Sequence, residues 1–271
     1  MPDVILKIEG LDKSFSLGRN NRSGIAERNL VVKDLSMTVE KGRITGLIGG
    51  NGAGKTTVFN LINGFLKANN GRIWFKKNGM DQPCHSMKPH KIARLGIGRM
   101  FQGTQLFEEL TVMENLTLSF VDPVTEVPFY NIFRNRKYRK LMHDVESYIL
   151  KKVCGPGEYT ALNDLLELKA SSLSFAQQRM VAFVSLLWSK NDLLILDEPT
   201  SGVHETEWPW MGEKLKEYCH NGGAVLLIEH NQEFIRNYIE QCYYLSSGRI
   251  LFEGPTQNVL NQPDVKKDYL A

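Results

Sequence analysis

Gly49-Gly50-Asn51-Gly52-Ala53-Gly54-Lys55-Thr56-Thr57 decides how this chain reads. It fits G-x-x-x-x-G-K-[S/T], with Gly49, Gly54, Lys55 and Thr56 at the fixed positions. Glycines lack a Cβ, so their backbone can wrap a phosphate at close range and accept positive φ. The loop's N–H groups then face the anion, Lys55 can reach the β- and γ-phosphates, and the Thr56 hydroxyl can ligate Mg²⁺. Upstream, Ile44-Thr45-Gly46-Leu47-Ile48 is a short apolar run that reads as a buried strand. Downstream, apolar residues at 58, 59, 61 and 62 predict a helix whose N-terminus faces the loop and favours a bound phosphate. An accidental glycine-rich turn would lack this setting. The stretch predicts a nucleoside triphosphate site built from residues 49–57.

The chain has 271 residues, 42% of them hydrophobic, enough for one compact unit with an inserted lobe. A net charge of +3 is too slight to argue for nucleic acid as a partner. Cys84, Cys154, Cys219 and Cys242 are scattered with no C-x-x-C, which predicts free thiols in a reducing compartment. Met1-Pro2-Asp3-Val4 lacks the shape of a secretory leader. No apolar run approaches the roughly 20 residues that span a bilayer, so a membrane role must come through a partner.

Val4 to Glu9 alternates as a strand, and Ser16 to Asn29, polar and rich in arginine, reads as an extended loop before strand character returns through Val39. Phe15 is the only aromatic between Asp3 and Val58, so it is the candidate to stack on a nucleotide base; a core Phe at a strand end is the plain alternative. Gly71 to Phe75 reads as a strand ending near the Asn78-Gly79 turn, Met87 to Leu95 as a short helix, and Gly96 to Gln102 as a strand. A polar amide at the end of a parallel strand sits where α/β sheets bind ligands. From Gly103 to about Ser172 helical spacing dominates, in Thr111–Phe120 and Tyr138–Val153, and predicts an inserted helical lobe. Arg134, Arg136, Lys137, Arg139 and Lys140 lie there among Tyr130, Phe133 and Tyr138 and read as a solvated basic face.

Ser174-Phe175-Ala176-Gln177 has the S-x-x-Q form of a capping box opening a helix to about Trp188. Leu193-Leu194-Ile195-Leu196-Asp197-Glu198 is a buried-strand run delivering two carboxylates at its end. Beside a P-loop, paired acids suggest one that attends Mg²⁺ and one that activates water. Ala224 to Ile228 repeats the theme, with His230 just beyond. Asn231 to Cys242 reads as a helix, Tyr243 to Glu253 as a hairpin, and Thr256 to Leu270 as one or two short helices.

In order, the P-loop, Gln102, Leu173-Ser174-Phe175-Ala176-Gln177-Gln178-Arg179, Asp197-Glu198 and His230 resemble the ATP-binding subunit of an ABC transporter over nearly the whole chain. Phe101 to Asn115, Ser172 to Arg179, Gly248 to Gly254 and Tyr269-Leu270 look like the ATP-binding subunits of bacterial branched-chain amino-acid importers. Urea and amide importers and the lipopolysaccharide-export ATPase have similar subunits. The resemblance implies an α/β P-loop NTPase with a RecA-like core (1–102 and 181–271), an N-terminal antiparallel β subdomain and an inserted helical subdomain (103–180). It implies ATP and Mg²⁺ as cofactors, with Gly49, Gly50, Asn51, Gly52, Ala53, Gly54, Lys55, Thr56 and Thr57 on the phosphates. Thr56, Gln102 and Asp197 would attend Mg²⁺, Glu198 would polarise water, and His230 would sense the γ-phosphate. Ser174, Ala176 and Gln177 would act on the nucleotide of a second ATP-binding subunit. The implied partners are permease subunits and an extracytoplasmic solute-binding protein, with this chain peripheral on the cytoplasmic face of the inner membrane.

Three departures stand out. Ala176 replaces the usual Gly of the signature, His204 replaces the usual Asp or Asn in the loop crossing the dimer interface, and Gly50 stands where Pro is common. The loop after Phe15 is also long for the family. Ala176 and His204 leave open a weakly hydrolysing regulatory subunit of a heterodimer.

Overall fold

A computed structural model describes residues 3–19, 26–103, 106–120, 136–153, 155 and 157–270. In chain order, the strands are β1 (Val4–Arg19), β2 (Ala26–Glu40), β3 (Ile44–Ile48), β4 (Asn70–Lys77), β5 (Met80–Pro83), β6 (Ile97–Met100), β7 (Leu193–Asp197), β8 (Ala224–Ile228), β9 (Gln241–Ser246) and β10 (Arg249–Pro255). The α-helices are α1 (Lys55–Ile62), α2 (Pro89–Arg94), α3 (Val112–Phe120), α4 (Arg136–Val153), α5 (Phe175–Trp188), α6 (Trp208–His220), α7 (Gln232–Tyr238), α8 (Thr256–Leu260) and α9 (Pro263–Leu270).

Two sheets organise these elements. An antiparallel sheet runs β2-β1-β4-β5, and a second runs β10-β9-β3-β8-β7-β6. Within the second, β9, β3, β8, β7 and β6 are parallel and β10 returns antiparallel. Strands β3, β7 and β8 are buried at every position, as a sheet covered on both faces requires. Their side chains alternate between two cores. Leu193, Ile195 and Leu226 pack with α1 and the antiparallel sheet; Leu194, Leu196 and Leu227 pack with the helices of the other face. The parallel sheet is therefore the middle layer, and its strand ends are held from both sides.

The expected fold class is the one observed, and two local readings are corrected. Ser16 to Asn29 is not simply a loop: β1 and β2 continue as paired arms, with Ser16 opposite Arg28 and Arg19 opposite Ala26. A two-stranded ribbon satisfies its backbone across the ladder whatever the side-chain polarity, so the polar sequence concealed it. The helix expected over Asn231–Cys242 stops at Tyr238, Ile239 turns extended, and Cys242 lies inside β9. There Gly46 pairs with Cys242 and Leu47 with Tyr243, and the ladder with β3 overrides local helical spacing. Helix α6 is an element beyond those expected from the sequence. Its signs were Pro209 in the first turn and buried Met211, Leu215 and Cys219 at i, i+4, i+8. Of the basic cluster, Tyr130, Phe133 and Arg134 lie outside the described residues, and Lys140 is exposed on α4.

Candidate functional site

Each predicted site residue except Phe15 and the 174–177 segment stands at the C-terminal edge of the parallel sheet. β3 runs into the P-loop, β6 ends two residues before Gln102, β7 ends at Asp197, and β8 ends two residues before His230. That edge is where strand ends and loops of open α/β sheets leave room for a ligand.

The loop's glycines answer different demands. A Cβ on Gly49 would stand 2.1 Å from the Leu245 carbonyl oxygen, so β9 itself excludes any side chain there. Gly54, at φ 109, lies against the Val31 carbonyl, where a Cβ would sit at 3.0 Å. Gly52, at φ 78, faces open space, which leaves its backbone accessible to a ligand. Lys55 is buried, and its Nζ donates to the carbonyls of Gly49 (2.7 Å) and Gly50 (3.0 Å). Burial lowers its pKa, while Glu198 and Asp197 push the other way. Thr56 is exposed beside it at the start of α1.

Glu198 is the hub. It adopts φ 50, a left-handed conformation unusual for a long side chain, and its N–H donates to the Ile228 carbonyl at 2.9 Å. That turn brings its carboxylate between two neighbours: Gln102 Nε2 at 3.3 Å and His230 Nε2 at 3.4 Å. Asp197 is buried. Desolvation raises its pKa, and the Arg99 guanidinium opposes that, with Nη2 3.6 Å from Oδ2.

Three residues that sequence reading passed over hold this cluster in place. Arg179, fully buried on α5, donates from Nη1 to the carbonyls of Phe101 (3.0 Å) and Gln102 (2.6 Å), and from Nη2 to those of Asp197 and Glu198. One guanidinium thus ties the end of β6 to the end of β7. Glu229, also buried, accepts from the Thr200 N–H and hydroxyl through Oε1, and from the His230 and Asn231 N–H groups through Oε2. It sets the backbone carrying His230. Arg99 is the third. The available signal was the same for all: a charged residue inside or at the end of an apolar run, where burial demands partners.

The 174–177 segment is placed differently. Ser174 caps α5: Gln177 N–H donates to Ser174 Oγ at 3.3 Å, and Ser174 N–H donates to Gln177 Oε1 at 2.8 Å. The predicted capping box is present. Phe175 is half exposed and lies over Gly202, where a Cβ would come within 2.5 Å of the ring. His204 caps a 3₁₀ turn at Glu205–Glu207, with Nδ1 2.9 Å from Thr206 Oγ1. Phe15 lies on β1 opposite Asn29, 38% exposed, with Lys13 Nζ 5.2 Å from its ring centroid. Asn29 is two residues from Val31, the residue that touches Gly54.

The donor set suits a hard cation. A threonine hydroxyl, a glutamine amide and an aspartate offer oxygen, and Mg²⁺ takes few protein ligands beside substrate phosphates and water. Among the described residues no three His, Cys, Asp or Glu side chains group as a metal site of their own.

A family model described as "ABC transporter" matches residues 32–201. The chain belongs to the ABC transporter family. It is 33% identical over 268 residues to the probable branched-chain amino acid transport ATP-binding protein LivG of Archaeoglobus fulgidus, covering 98% of this chain and 95% of that one. It is 29% identical to the high-affinity branched-chain amino acid transport ATP-binding protein BraF of Pseudomonas aeruginosa, over 100% and 99% of the two chains. Among solved structures, a nucleotide-free ATP-binding cassette from an ABC transporter superposes with TM-score 0.76 at 30% identity, over 99% of each chain. An ADP-bound conformation of an ABC transporter cassette superposes at 0.74, also at 30% identity and 99% of each. In this ABC cassette no helix among the described residues is long and apolar enough to cross a membrane.

Proposed function

We propose that this chain binds and hydrolyses ATP to power an ABC transporter, and that the solute imported is a branched-chain amino acid or a related small polar molecule. The observation that supports hydrolysis most directly is the Glu198 carboxylate, held between Gln102 and His230 at the sheet edge that carries Lys55. The relatives' names support the substrate class.

In this reading Lys55 and the N–H groups of residues 49–57 bind the phosphates, and Phe15 stacks on adenine. Thr56, Gln102 and Asp197 hold Mg²⁺, which when bound neutralises charge developing on the phosphates. Glu198 accepts the proton of the water that attacks the γ-phosphorus, the bond to the bridging oxygen breaks, and ADP leaves. His230 faces the γ-phosphate. Ser174, Ala176 and Gln177 complete the site of a second ATP-binding subunit, because a helix N-terminus stabilises a triphosphate more than a diphosphate. Closure on ATP and reopening after hydrolysis move the membrane partner.

The docking face in this reading is the segment 103–180 with the neighbouring core. A groove of about 1000 Å³ opens there, lined by Phe65, Phe101, Phe107, Arg94 and Lys190 among others, with no carboxylate among its described lining residues. It suits a permease segment with apolar and acidic side chains, and in this reading the chain sits peripherally on the cytoplasmic face. An extracytoplasmic binding protein would deliver the solute.

Ala176 and the self-capped His204 favour an asymmetric pair. The Ala176 methyl stands where a backbone should approach a phosphate, so the chain would offer its partner a weakened contact. The deciding experiment is steady-state ATP hydrolysis by the purified chain beside Lys55→Ala and Glu198→Gln. Turnover silenced in both variants supports the reading; turnover surviving in both overturns it. Ala176→Gly should raise hydrolysis in the assembled complex, and an unchanged rate would remove the asymmetry.

A further inference from the structure

Arg99 is nearly buried, with its side chain 5% exposed, and it sits between the groove and the chemistry. Its Nη1 donates to Asn60 Oδ1 on α1 at 2.7 Å, and its Nη2 lies 3.6 Å from Asp197 Oδ2. Its guanidinium lies 4.3 Å from the Phe101 ring centroid, 5.7 Å from that of Phe65 and 6.0 Å from that of Phe59. Phe65 and Phe101 meet edge-on at 5.4 Å, and both line the groove; Phe65 is 54% exposed. Arg99 Nε is buried without a hydrogen-bond partner. A guanidinium desolvated at this cost needs a reason beyond framing, because Arg179 already ties the same strand ends through main-chain carbonyls.

We propose that Arg99 is a positioning residue for the Mg²⁺ site: it orients the Asp197 carboxylate from behind, and the Phe65–Phe101 pair braces it from the groove. The planar fork suits the task. It reaches Asn60 on the helix leaving the P-loop and Asp197 on β7 at once, while its face stacks on aromatic rings, which a lysine cannot reproduce. A carboxylate held by a second polar partner presents a fixed oxygen to a metal. The brace also gives the groove a physical route to the nucleotide. A segment seated on Phe65 and Phe101 presses on the rings that hold Arg99, and Arg99 holds Asp197. The inference rests on the Mg²⁺–ATP reading above.

The test is equilibrium binding of a fluorescent ATP analogue to the full chain, with Mg²⁺ and with EDTA, read as the ratio of the two affinities. Arg99→Met keeps length and packing but removes charge and fork. It should lower the ratio by about 10- to 100-fold, the range for a lost outer-sphere partner of a metal ligand. Affinity in EDTA should stay within about twofold, since the P-loop amides and Lys55 are untouched. Arg99→Lys restores charge and should recover part of the ratio. Phe65→Ala, at an exposed position in the groove, should lower it by about two- to fivefold, the weight of one cation–π contact. An unchanged ratio in Arg99→Met overturns the proposal, as does an equal loss in EDTA, which marks a merely structural role. Should Arg99→Met fail to fold, an unchanged ratio in both Arg99→Lys and Phe65→Ala overturns it. A wild-type chain with no preference for Mg²⁺ would instead overturn the nucleotide reading beneath it.

Discussion

The sheet edge and the start of α5 are both rich in phosphate-binding potential, yet they are built oppositely. At the edge the acids meet neighbours from other elements: Glu198 meets Gln102 and His230, Asp197 meets Arg99, and Glu229, which sets the His230 backbone, is itself tied to Thr200. At Ser174–Gln177 the capping hydrogen bonds close on the segment itself, and Phe175 lies against the loop around Gly202. The first region is a site assembled by one chain's fold. The second is a self-contained, exposed element, rigid enough to be presented to something else. In the proposed function, a nucleotide gripped by the first is capped by the second from another ATP-binding subunit.

The sharpest way to break this contrast is at its hub. Glu198→Gln preserves size and removes the base; turnover should fall by about 10²- to 10⁴-fold while ATP binding persists. Steady-state hydrolysis with a parallel binding titration checks it, and retained turnover would strip Glu198 of its role.

Next comes the frame. Arg179→Ala leaves four buried or half-buried carbonyls without their shared donor and should cost at least about 3 kcal/mol of stability, seen in urea unfolding. A loss below about 1 kcal/mol would mean the strand ends hold themselves.

Ser174→Ala probes the other region. Loss of the cap should cost only about 1 kcal/mol by urea unfolding. If the segment works across a dimer, ATP-induced association, followed by light scattering, should weaken while nucleotide affinity of the single chain is unchanged. Reduced affinity in the single chain would place Ser174 in its own chain's site instead.

The smallest effect concerns the cores rather than either site. Burial pushes the Cys219 and Cys242 thiols up to about 12 from an ordinary 9.0, and Cys84 to about 11. Their folded pKa values lie above the unfolded ones. The stability they contribute is therefore intact below pH 9 and is lost as pH climbs toward 12. At pH 8 all three should resist alkylation until the chain unfolds, and mass spectrometry of iodoacetamide-treated protein reads this directly. Rapid labelling of Cys219 would show that α6 opens readily.

The motifs were legible because their chemistry restricts residue type at fixed spacing. Glycines with a Lys and Thr, paired acids after an apolar strand and a Ser three residues before a Gln each announced a local structure that the fold contains. What was not legible depended on partners remote in sequence. Cys242 joined a strand because β3 was waiting for it, and the polar arms flanking residues 20–25 became strands because they pair with each other. Arg99, Arg179 and Glu229 gained meaning only when burial made their carbonyl and carboxylate partners obligatory. The amino-acid sequence by itself determined the P-loop, the two-faced burial of the central strands and the identity of the acids and histidine, since these follow from local composition and period. Only the tertiary structure decided that Gln102, Glu198 and His230 converge, and that Asp197 leans on an arginine braced by the groove. Convergence depends on which strands lie side by side, and the order β3-β8-β7-β6 is written nowhere along the chain.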